Sequence, residues 1–413
     1  MAEFEKQNKT TFVSAAELAV QGEYIQKVRA VLEARYGENP KAYVHTYGCQ
    51  GNVADSERIK GMLCQMGYTF AESPENADLV LYNTCAIREH AQDRVFGNVG
   101  LLKPMKKEKP NMIIALCGCM MQQKHVAEKI KQSYPFVNLV FGTHAIHRLP
   151  ELLCGVLCEK KRVFSVEDSA GVIAEGIPSV RDDTQNAWLP IMYGCNNFCT
   201  YCVVPYVRGR ERSRKPDIII EEARELAAKG FGQITLLGQN VNSYGKNSGF
   251  DMNFSGLLRQ LDAIDGDFKI DFMTSHPKDC TTELIDTLAS MKKFSGHLHL
   301  PVQSGNNRIL AAMNRGYTRE HYLGLVEYAK KSIPGLDLTT DIIVGFPGEN
   351  HQEFCDTLSL VREAQFASMF TFIFSPRKGT KAETLPDPVS HAEKAKWFKE
   401  LTDLQEKITK GEI

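Results

Sequence analysis

Two successive stretches of alternating apolar and amphipathic segments predict an α/β protein. They read as an N-terminal parallel α/β domain followed by a partial TIM-like (β/α)6 barrel. Three observations carry this. From about residue 41, short apolar runs alternate with polar helical stretches. At 165–186 the chain turns polar, mixed and aperiodic, as an interdomain linker does. From 188 a second alternation supplies six strand candidates, five of them followed by helical stretches.

Leu18, Ile25, Val28 and Leu32 fall at helical spacing within 12–36, so residues 1–40 read as an N-terminal helical extension with a packing role. The first domain (41–160) has strand candidates at Ala42–Thr46, Leu79–Tyr82, Met112–Leu116 and Leu139–Phe141. Helical stretches lie between and after them, at about 53–66, 88–103, 122–133 and 146–157. The linker occupies 161–187. In the barrel (188–390) the strand candidates are Leu189–Tyr193, Gln233–Leu237, Lys269–Met273, His297–Val302, Leu338–Val344 and Met369–Phe374. Helices are expected at 217–229, 254–263, 282–291, 306–331 in two pieces, and 350–364. An open doubly wound sheet is the structural alternative. Residues 391–413 read as a closing helix.

Composition narrows the class. Of 413 residues, 43% are hydrophobic and 24% charged, which suits a folded core and argues against global disorder. The formal net charge is −1, so any nucleic-acid binding has to come from a local patch. No apolar run follows a basic start, and none approaches the ~18 residues of a membrane span. A soluble cytoplasmic protein without membrane partners is expected. Disulfides are rare there, so the twelve cysteines point to metal binding or catalysis.

Cys195, Cys199 and Cys202 stand at C-x3-C-x2-C spacing directly after the first barrel strand. Three thiolates on one short loop suit three corners of a [4Fe–4S] cubane and leave one iron open. An open iron can chelate the amino and carboxylate groups of S-adenosylmethionine (SAM). The competing reading is a zinc knuckle, but structural zinc usually takes four protein ligands and no fourth follows within reach. Tyr201 is either a stacking partner for the adenine ring or a packing aromatic.

A second set lies in the first domain. Cys49, Cys85 and the pair Cys117 and Cys119 each follow the carboxyl end of a strand candidate, where parallel sheets bind ligands. Three separate loops thus present thiols to one crevice. A second cluster on Cys49, Cys85 and Cys119 is favoured, with Cys117 directed into the core, although spacing alone leaves the choice between Cys119 and Cys117 open. Cys64, Cys154, Cys158, Cys280 and Cys355 read as small buried hydrophobes.

At this point the chain resembles a known family. The run from Cys195 to Arg214, CNNFCTYCVVPYVRGRERSR, is similar to the radical-SAM methylthiotransferases, and within them to the MiaB type acting on isopentenyladenosine in tRNA. Supporting runs are HTYGCQ (45–50), NVADSE (52–57), NTCAIR (83–88), CGC (117–119), LGQNVNSY (237–244), SHP (275–277), LPVQSG (300–305), MNRGYT (313–318), DIIVGFPGE (341–349) and FSPR (374–377). The match runs from about residue 41 to the end.

The resemblance implies that Cys49, Cys85 and Cys119 hold an auxiliary [4Fe–4S] cluster. It implies methylthiolation of carbon 2 of N6-isopentenyl(dimethylallyl)adenosine at position 37 of tRNA. One SAM would serve as methyl donor and a second as source of a 5′-deoxyadenosyl radical, with sulfur carried on the auxiliary cluster. The substrate base is expected between the two cysteine-bearing crevices. A reduced flavodoxin or ferredoxin is the plausible electron donor. The family's architecture adds a C-terminal RNA-binding barrel (TRAM). Here the stretch after Ser375 reads as helix, so that barrel is expected to be absent. Gly51 departs from the methionine common in the family.

Further residues are assigned by position. Gln239 and Asn240 end the second barrel strand, and Gln303 and Ser304 the fourth, where polar groups hold SAM or merely start loops. Gly345 to Glu349 end the fifth, where glycine would let backbone approach the adenine. His297 and His299 share one face of the fourth strand and read as an interior polar layer. Arg208, Arg210, Arg212, Arg214 and Lys215 are either a solvated charged loop or, as favoured beside this site, an RNA phosphate contact. Methylthiotransferases for threonylcarbamoyladenosine tRNA or a ribosomal-protein aspartate are alternatives within the family. Asn196-Asn197 and the VRGRER run favour the isopentenyl substrate. A non-enzymatic iron–sulfur or zinc RNA adaptor is the alternative outside it.

Overall fold

In the computed structural model, residues 11–413 are described apart from 38, 87–88, 167–170 and 247. The chain forms two units. The first ends at Thr184 and includes Tyr206–Arg212; the second is Gln185–Pro205 with Ser213–Ile413.

The sheet of the first unit collects β1 (Lys41–Tyr47), β2 (Thr69–Phe70), β3 (Leu79–Thr84), β4 (Ile113–Gly118), β5 (Leu139–Phe141) and β6 (Val163–Ser165). All pair in parallel, in the order β2-β1-β3-β4-β5-β6. Every residue of β3 and β4 is buried, as expected for central parallel strands covered on both faces. Side-chain alternation then sorts the two cores. Leu79, Leu81, Ile113, Ala115 and Cys117 pack with α1 (Ala15–Tyr36), α2 (Gln50–Gln65) and α5 (Leu149–Glu159). Val80, Tyr82, Ile114 and Leu116 pack with α3 (Glu89–Glu108) and α4 (Lys124–Ser133).

The expected N-terminal extension is a single helix. Ser14 Oγ accepts from the Glu17 N–H (3.2 Å) while the Glu17 carboxylate accepts from the Ser14 N–H (2.8 Å), a reciprocal cap that starts α1. Val28 and Leu32 bury its inner face, and Arg35 donates to the Leu157 carbonyl at 2.9 Å. The helix is therefore part of the first unit.

The stretch read as a linker is docked on α2 of the first unit. Val180 N–H donates to the Glu57 carbonyl (3.0 Å), Arg181 pairs with the buried Glu57 carboxylate (2.6 Å), and Lys60 pairs with Asp182. Its polarity satisfies buried groups of α2, which aperiodic sequence does not reveal.

In the second unit, β7 (Asn186–Pro190) ends before Ile191 and β8 (Met192–Tyr193) is a two-residue segment; β9 (Arg212–Ser213), also of two residues, begins on the last residue assigned to the first unit. β10 (Gln233–Leu237) and β11 (Lys269–Phe272) form a parallel sheet with β7; β12 (His297–His299), β13 (Asp337–Val344) and β14 (Ser368–Ile373) form another. Ser295 N–H, just before β12, donates to the Ile270 carbonyl of β11 (3.0 Å), linking the two sets. Strand order follows chain order with no reversal, the rule of a barrel and not of a doubly wound sheet.

The short helix α6 (Val204–Arg208) comes after the cysteine loop. The others are α7 (Pro216–Ala228), α8 (Phe254–Asp262), α9 (Thr282–Ser290), α10 (Asn307–Ala312), α11 (Arg319–Ser332), α12 (His351–Ala364) and α13 (His391–Thr409). One apolar core joins strands to helices, closed by Trp397 of α13 stacked on Phe354 (5.2 Å). His297 and His299 both reach Thr339 Oγ1 at 2.9 Å and lie near Asp271 and Asp341, respectively, an interior polar layer.

Candidate functional site

In the first unit three strand ends carry the thiols. Cys49 caps α2, its carbonyl accepting from the Asn52 and Val53 N–H groups (2.9 and 3.1 Å). Cys85 follows β3 and Cys119 follows β4, both buried. Gly118 ends β4 at φ +96°, and a Cβ there would lie 2.5 Å from the Thr84 carbonyl oxygen. Only glycine allows the turn that separates Cys117 from Cys119. Cys117 belongs to the core beneath α2 and α5, fully buried.

A buried polar network binds these loops together. Asn52 Nδ2 donates to Asn83 Oδ1 (3.0 Å) and to the Thr84 carbonyl (3.2 Å). Asn83 Nδ2 donates back to the Asn52 carbonyl (2.8 Å) and to Ser56 Oγ (3.0 Å). Thr84 Oγ1 donates to the Cys117 carbonyl (2.6 Å). The runs NVADSE and NTC are thus two halves of one scaffold. Arg208 Nε donates to Cys119 Sγ at 3.1 Å, and its guanidinium pairs with Asp55 at 2.7 Å. Burial pushes the Cys119 thiol up to about 12. Arg208 pulls against that shift, while Cys85, Cys49 and Asp55 add to it, so the three thiols lie within electrostatic reach of one another.

In the second unit the loop after β8 is held from behind. Phe198 adopts φ +46°, which turns the loop between Cys195 and Cys199. Asn314 Nδ2 donates to the Asn197 and Phe198 carbonyls (2.9 and 3.1 Å), and Lys278 donates to Asn197 Oδ1. Thr200 N–H and Oγ1 donate to the Met313 and Ala312 carbonyls (3.0 and 2.9 Å). Arg315 Nη1 reaches Cys199 Sγ and the Tyr201 hydroxyl, each at 3.4 Å; its Nη2 donates to the Pro301 carbonyl (2.7 Å) and its Nε to the Tyr317 hydroxyl (3.0 Å). Burial and the neighbouring Cys199 push the Cys202 thiol up to about 12. The MNRGYT run therefore braces the cysteine loop, a role for Asn314 and Arg315 that spacing could not supply.

Among the described residues no three His, Cys, Asp or Glu side chains converge on one ion, the arrangement a zinc site needs. A cubane gives each thiolate its own iron, so separated but neighbouring thiols suit it. Three neighbouring, largely buried thiols beside a guanidinium are chemically suited to such a cluster in each unit.

For SAM, Gln239 Oε1 accepts from the Gly194 N–H beside the loop. Asn240 donates to Asp279 (2.7 Å). Gln303 is buried at φ +70° and Ser304 is buried, its Oγ accepting from the Asn306 N–H (3.2 Å). Tyr201 packs with Ile309, Met313 and Phe346, which favours its packing role. A Cβ at Gly345 (φ +70°) would lie 2.5 Å from Lys394 Cγ, so glycine is what lets the lysine of α13 pack against this turn. Glu349 turns back, accepting from the Gly345 and Phe346 N–H groups (2.6 and 3.3 Å); burial raises its carboxyl to about 7.

Beside Asn240, sequence reasoning passed over three further polar groups. Asn240 Oδ1, Asn242 Oδ1, Ser275 Oγ and His276 Nε2 are buried on the loops after β10 and β11 without a hydrogen-bond partner among the described residues. Unpaired buried polar atoms are costly and call for a partner such as water or a polar ligand. Burial, with Arg315, Lys278 and Lys246, holds His276 down to about 2, so the ring is neutral. Its Nδ1 accepts from the Lys278 N–H (3.2 Å), which leaves the proton on Nε2. The SHP run was the available signal.

The basic run is not a solvated patch. Arg208 is bound as above. Arg212 is buried, donating to the Arg210 and Arg208 carbonyls (2.6 and 3.2 Å). Arg214 is buried, donating to the Pro190 carbonyl (2.6 Å) and pairing with Glu222 (2.9 Å). Arg210 is half-buried and Lys215 exposed. Among the remaining cysteines, Cys154 and Cys280 are buried as expected, but Cys64 and Cys158 are exposed and Cys355 is half-buried.

A partial barrel of six parallel strands, with C-x3-C-x2-C thiols after its first strand, defines a radical-SAM enzyme. The Radical SAM superfamily matches residues 189–361, and the uncharacterized protein family UPF0004 matches 41–142. The chain is 50% identical over 386 residues to a tRNA-2-methylthio-N(6)-dimethylallyladenosine synthase of Caldicellulosiruptor saccharolyticus, covering 94% of this chain and 82% of that one. It is 46% identical over 413 residues to the synthase of that name from Acetivibrio thermocellus, covering 99% and 86%. The solved structure of the radical S-adenosylmethionine methyltransferase TsrM from Kitasatospora setae, with cobalamin and a [4Fe-4S] cluster bound, shares the fold. Its TM-score is 0.60 at 14% identity, over 84% of this chain and 77% of that one. The chain belongs to the family of the tRNA-2-methylthio-N(6)-dimethylallyladenosine synthases, which are radical-SAM methylthiotransferases.

Proposed function

We propose that this chain methylthiolates carbon 2 of N6-dimethylallyladenosine at position 37 of tRNA, using SAM, one [4Fe–4S] cluster on Cys195, Cys199 and Cys202, and a second on Cys49, Cys85 and Cys119. The observation that carries the reading is the presence of two separate, largely buried thiol triads, one in each unit, in a chain about half identical to the synthases. When bound, the clusters and SAM supply the radical, the sulfur and the methyl group needed to replace an unactivated C–H by C–S–CH3.

The chain's own part is placement. Asn314, Lys278 and Thr200 fix the loop of Cys195, Cys199 and Cys202. Asn240, Asn242, Ser275 and His276 offer three acceptor oxygens and one N–H to the polar groups of SAM. Gln239 ties its strand end to the loop, and Glu349 orders the turn at Gly345 and Phe346. Arg210 and Lys215 contact tRNA phosphate. A target in an anticodon loop presents an accessible base, which suits single-stranded recognition. A reduced flavodoxin or ferredoxin supplies the electron. No described helix is long and apolar enough to cross a membrane, and the cytoplasm is the proposed location.

The test is anaerobic incubation of reconstituted protein with isopentenylated tRNA, SAM, sulfide and dithionite, followed by nucleoside mass spectrometry. Gain of one methylthio group on the isopentenyladenosine nucleoside is expected. Formation of 5′-deoxyadenosine with an unchanged nucleoside would sink the substrate assignment while keeping the radical chemistry.

A further inference from the structure

Each thiol triad has one buried arginine whose N–H points at a ligand sulfur, and the two arginines differ in one respect. Arg208 donates to Cys119 Sγ (3.1 Å) and is paired with the buried Asp55 (2.7 Å). Arg315 reaches Cys199 Sγ (3.4 Å), yet its other partners are two tyrosine hydroxyls and a carbonyl. No carboxylate pairs with Arg315 among the described residues, although it is only 4% exposed. A buried cation without a counter-ion is costly unless negative charge is brought to it. A reduced iron–sulfur cluster with thiolate ligands brings such charge.

We propose that Arg315 and the Arg208–Asp55 pair are positioning groups that set which cluster accepts an electron first. This rests on the reading of both triads as cluster ligands. The unneutralised guanidinium of Arg315 stabilises the extra negative charge of the reduced cluster on Cys195, Cys199 and Cys202 and raises its reduction potential. At the other triad Asp55 cancels the charge of Arg208, so the hydrogen bond to Cys119 remains without a net positive field. A one-electron donor of the reduced flavoprotein or iron–sulfur class loses one electron, and the cluster beside Arg315 gains it. The arrangement directs reduction to the site of SAM cleavage and spares the sulfur-carrying one.

The experiment is an anaerobic redox titration of the reconstituted full chain followed by electron paramagnetic resonance. Each cluster is measured with the other cysteine triad replaced by alanine. Arg315→Gln is expected to lower the reduced-to-oxidised ratio of its cluster at least tenfold at fixed poise, equal to 59 mV for a one-electron couple. Arg315→Lys should restore most of it. Asp55→Asn should shift the other cluster the opposite way, toward easier reduction, and Arg208→Gln toward harder reduction. Unchanged potentials at full iron content would overturn the proposal, as would shifts of one sign for Asp55→Asn and Arg208→Gln. Should Arg208→Gln not fold, the sign of the Asp55→Asn shift decides alone. Wild-type protein that takes up only one cluster would instead overturn the ligand reading, and this inference with it.

Discussion

Gly118→Ala isolates the turn that aims Cys119. Gly118 sits at φ +96°, and an added Cβ would meet the Asn83 side chain and the Thr84 backbone, at 2.5 Å from its oxygen and 2.8 Å from its nitrogen. The left-handed conformation costs an alanine about 1–2 kcal/mol. Forcing a methyl against backbone that must move adds about 1–3 kcal/mol. The stiffer unfolded chain returns about 0.4–1 kcal/mol. The net loss is about 3 kcal/mol, which lowers a urea midpoint by about 1.5 M at a slope near 2 kcal/mol/M. Circular dichroism is the suitable probe, because both tryptophans, Trp188 and Trp397, belong to the second unit. The reconstituted variant should also lose half its iron, since strain is relieved by moving Cys119 away from Arg208. Gly97→Ala is the control: it lies in α3 with nothing near its Cβ, so it should be neutral or slightly stabilising. A Gly118→Ala protein with wild-type midpoint and full iron would refute the reasoning.

Three other outcomes are expected. Alanine at Cys195, Cys199 or Cys202 should abolish 5′-deoxyadenosine formation, whereas alanine at Cys49, Cys85 or Cys119 should retain it and lose the methylthio product; one common phenotype for all six would contradict two separate clusters. Cys117→Ala should keep both clusters, by iron and sulfide analysis, while costing about 1 kcal/mol for a small core deletion. Loss of a cluster would make Cys117 the ligand. Burial raises Glu349 to about 7 from the ordinary carboxyl value of 4.5, so its protonated form favours the folded state. That stabilisation is complete below about pH 4.5 and is lost as pH rises through 7. Glu349→Gln should therefore match wild type near pH 5 and unfold at higher temperature near pH 8. Equal melting temperatures at both values would place Glu349 in a more polar setting.

Local pattern was sufficient for most elements. Gln233–Leu237 is apolar enough to read as a strand in isolation, and the strands at Lys269 and Leu338 were found within one residue of their limits. β2 and β6 were not: both residues of β2 are exposed and β6 buries only Ser165, so neither makes a buried apolar run of the kind Leu139–Phe141 shows. Five of the six candidate ligands were legible because a thiol directly after a strand is informative at any position; Cys119 was separated from Cys117 only by the family resemblance. By itself, then, the sequence determined the α/β class, the two alternations, the family and the thiols.

Which charges are free, however, depends on what lies opposite them. Arg208, Arg212 and Arg214 read as a basic loop, and only folding brought Asp55, two backbone carbonyls and Glu222 to meet them. The docking of 178–184 on α2, the bracing of the cysteine loop by Asn314 and Arg315, and the inward turn of Glu349 were decided in the same way. Each is a pairing across a long stretch of chain or a tight turn, set by burial: a polar group removed from water must find a partner, and its partner is chosen by tertiary proximity, which no local pattern encodes.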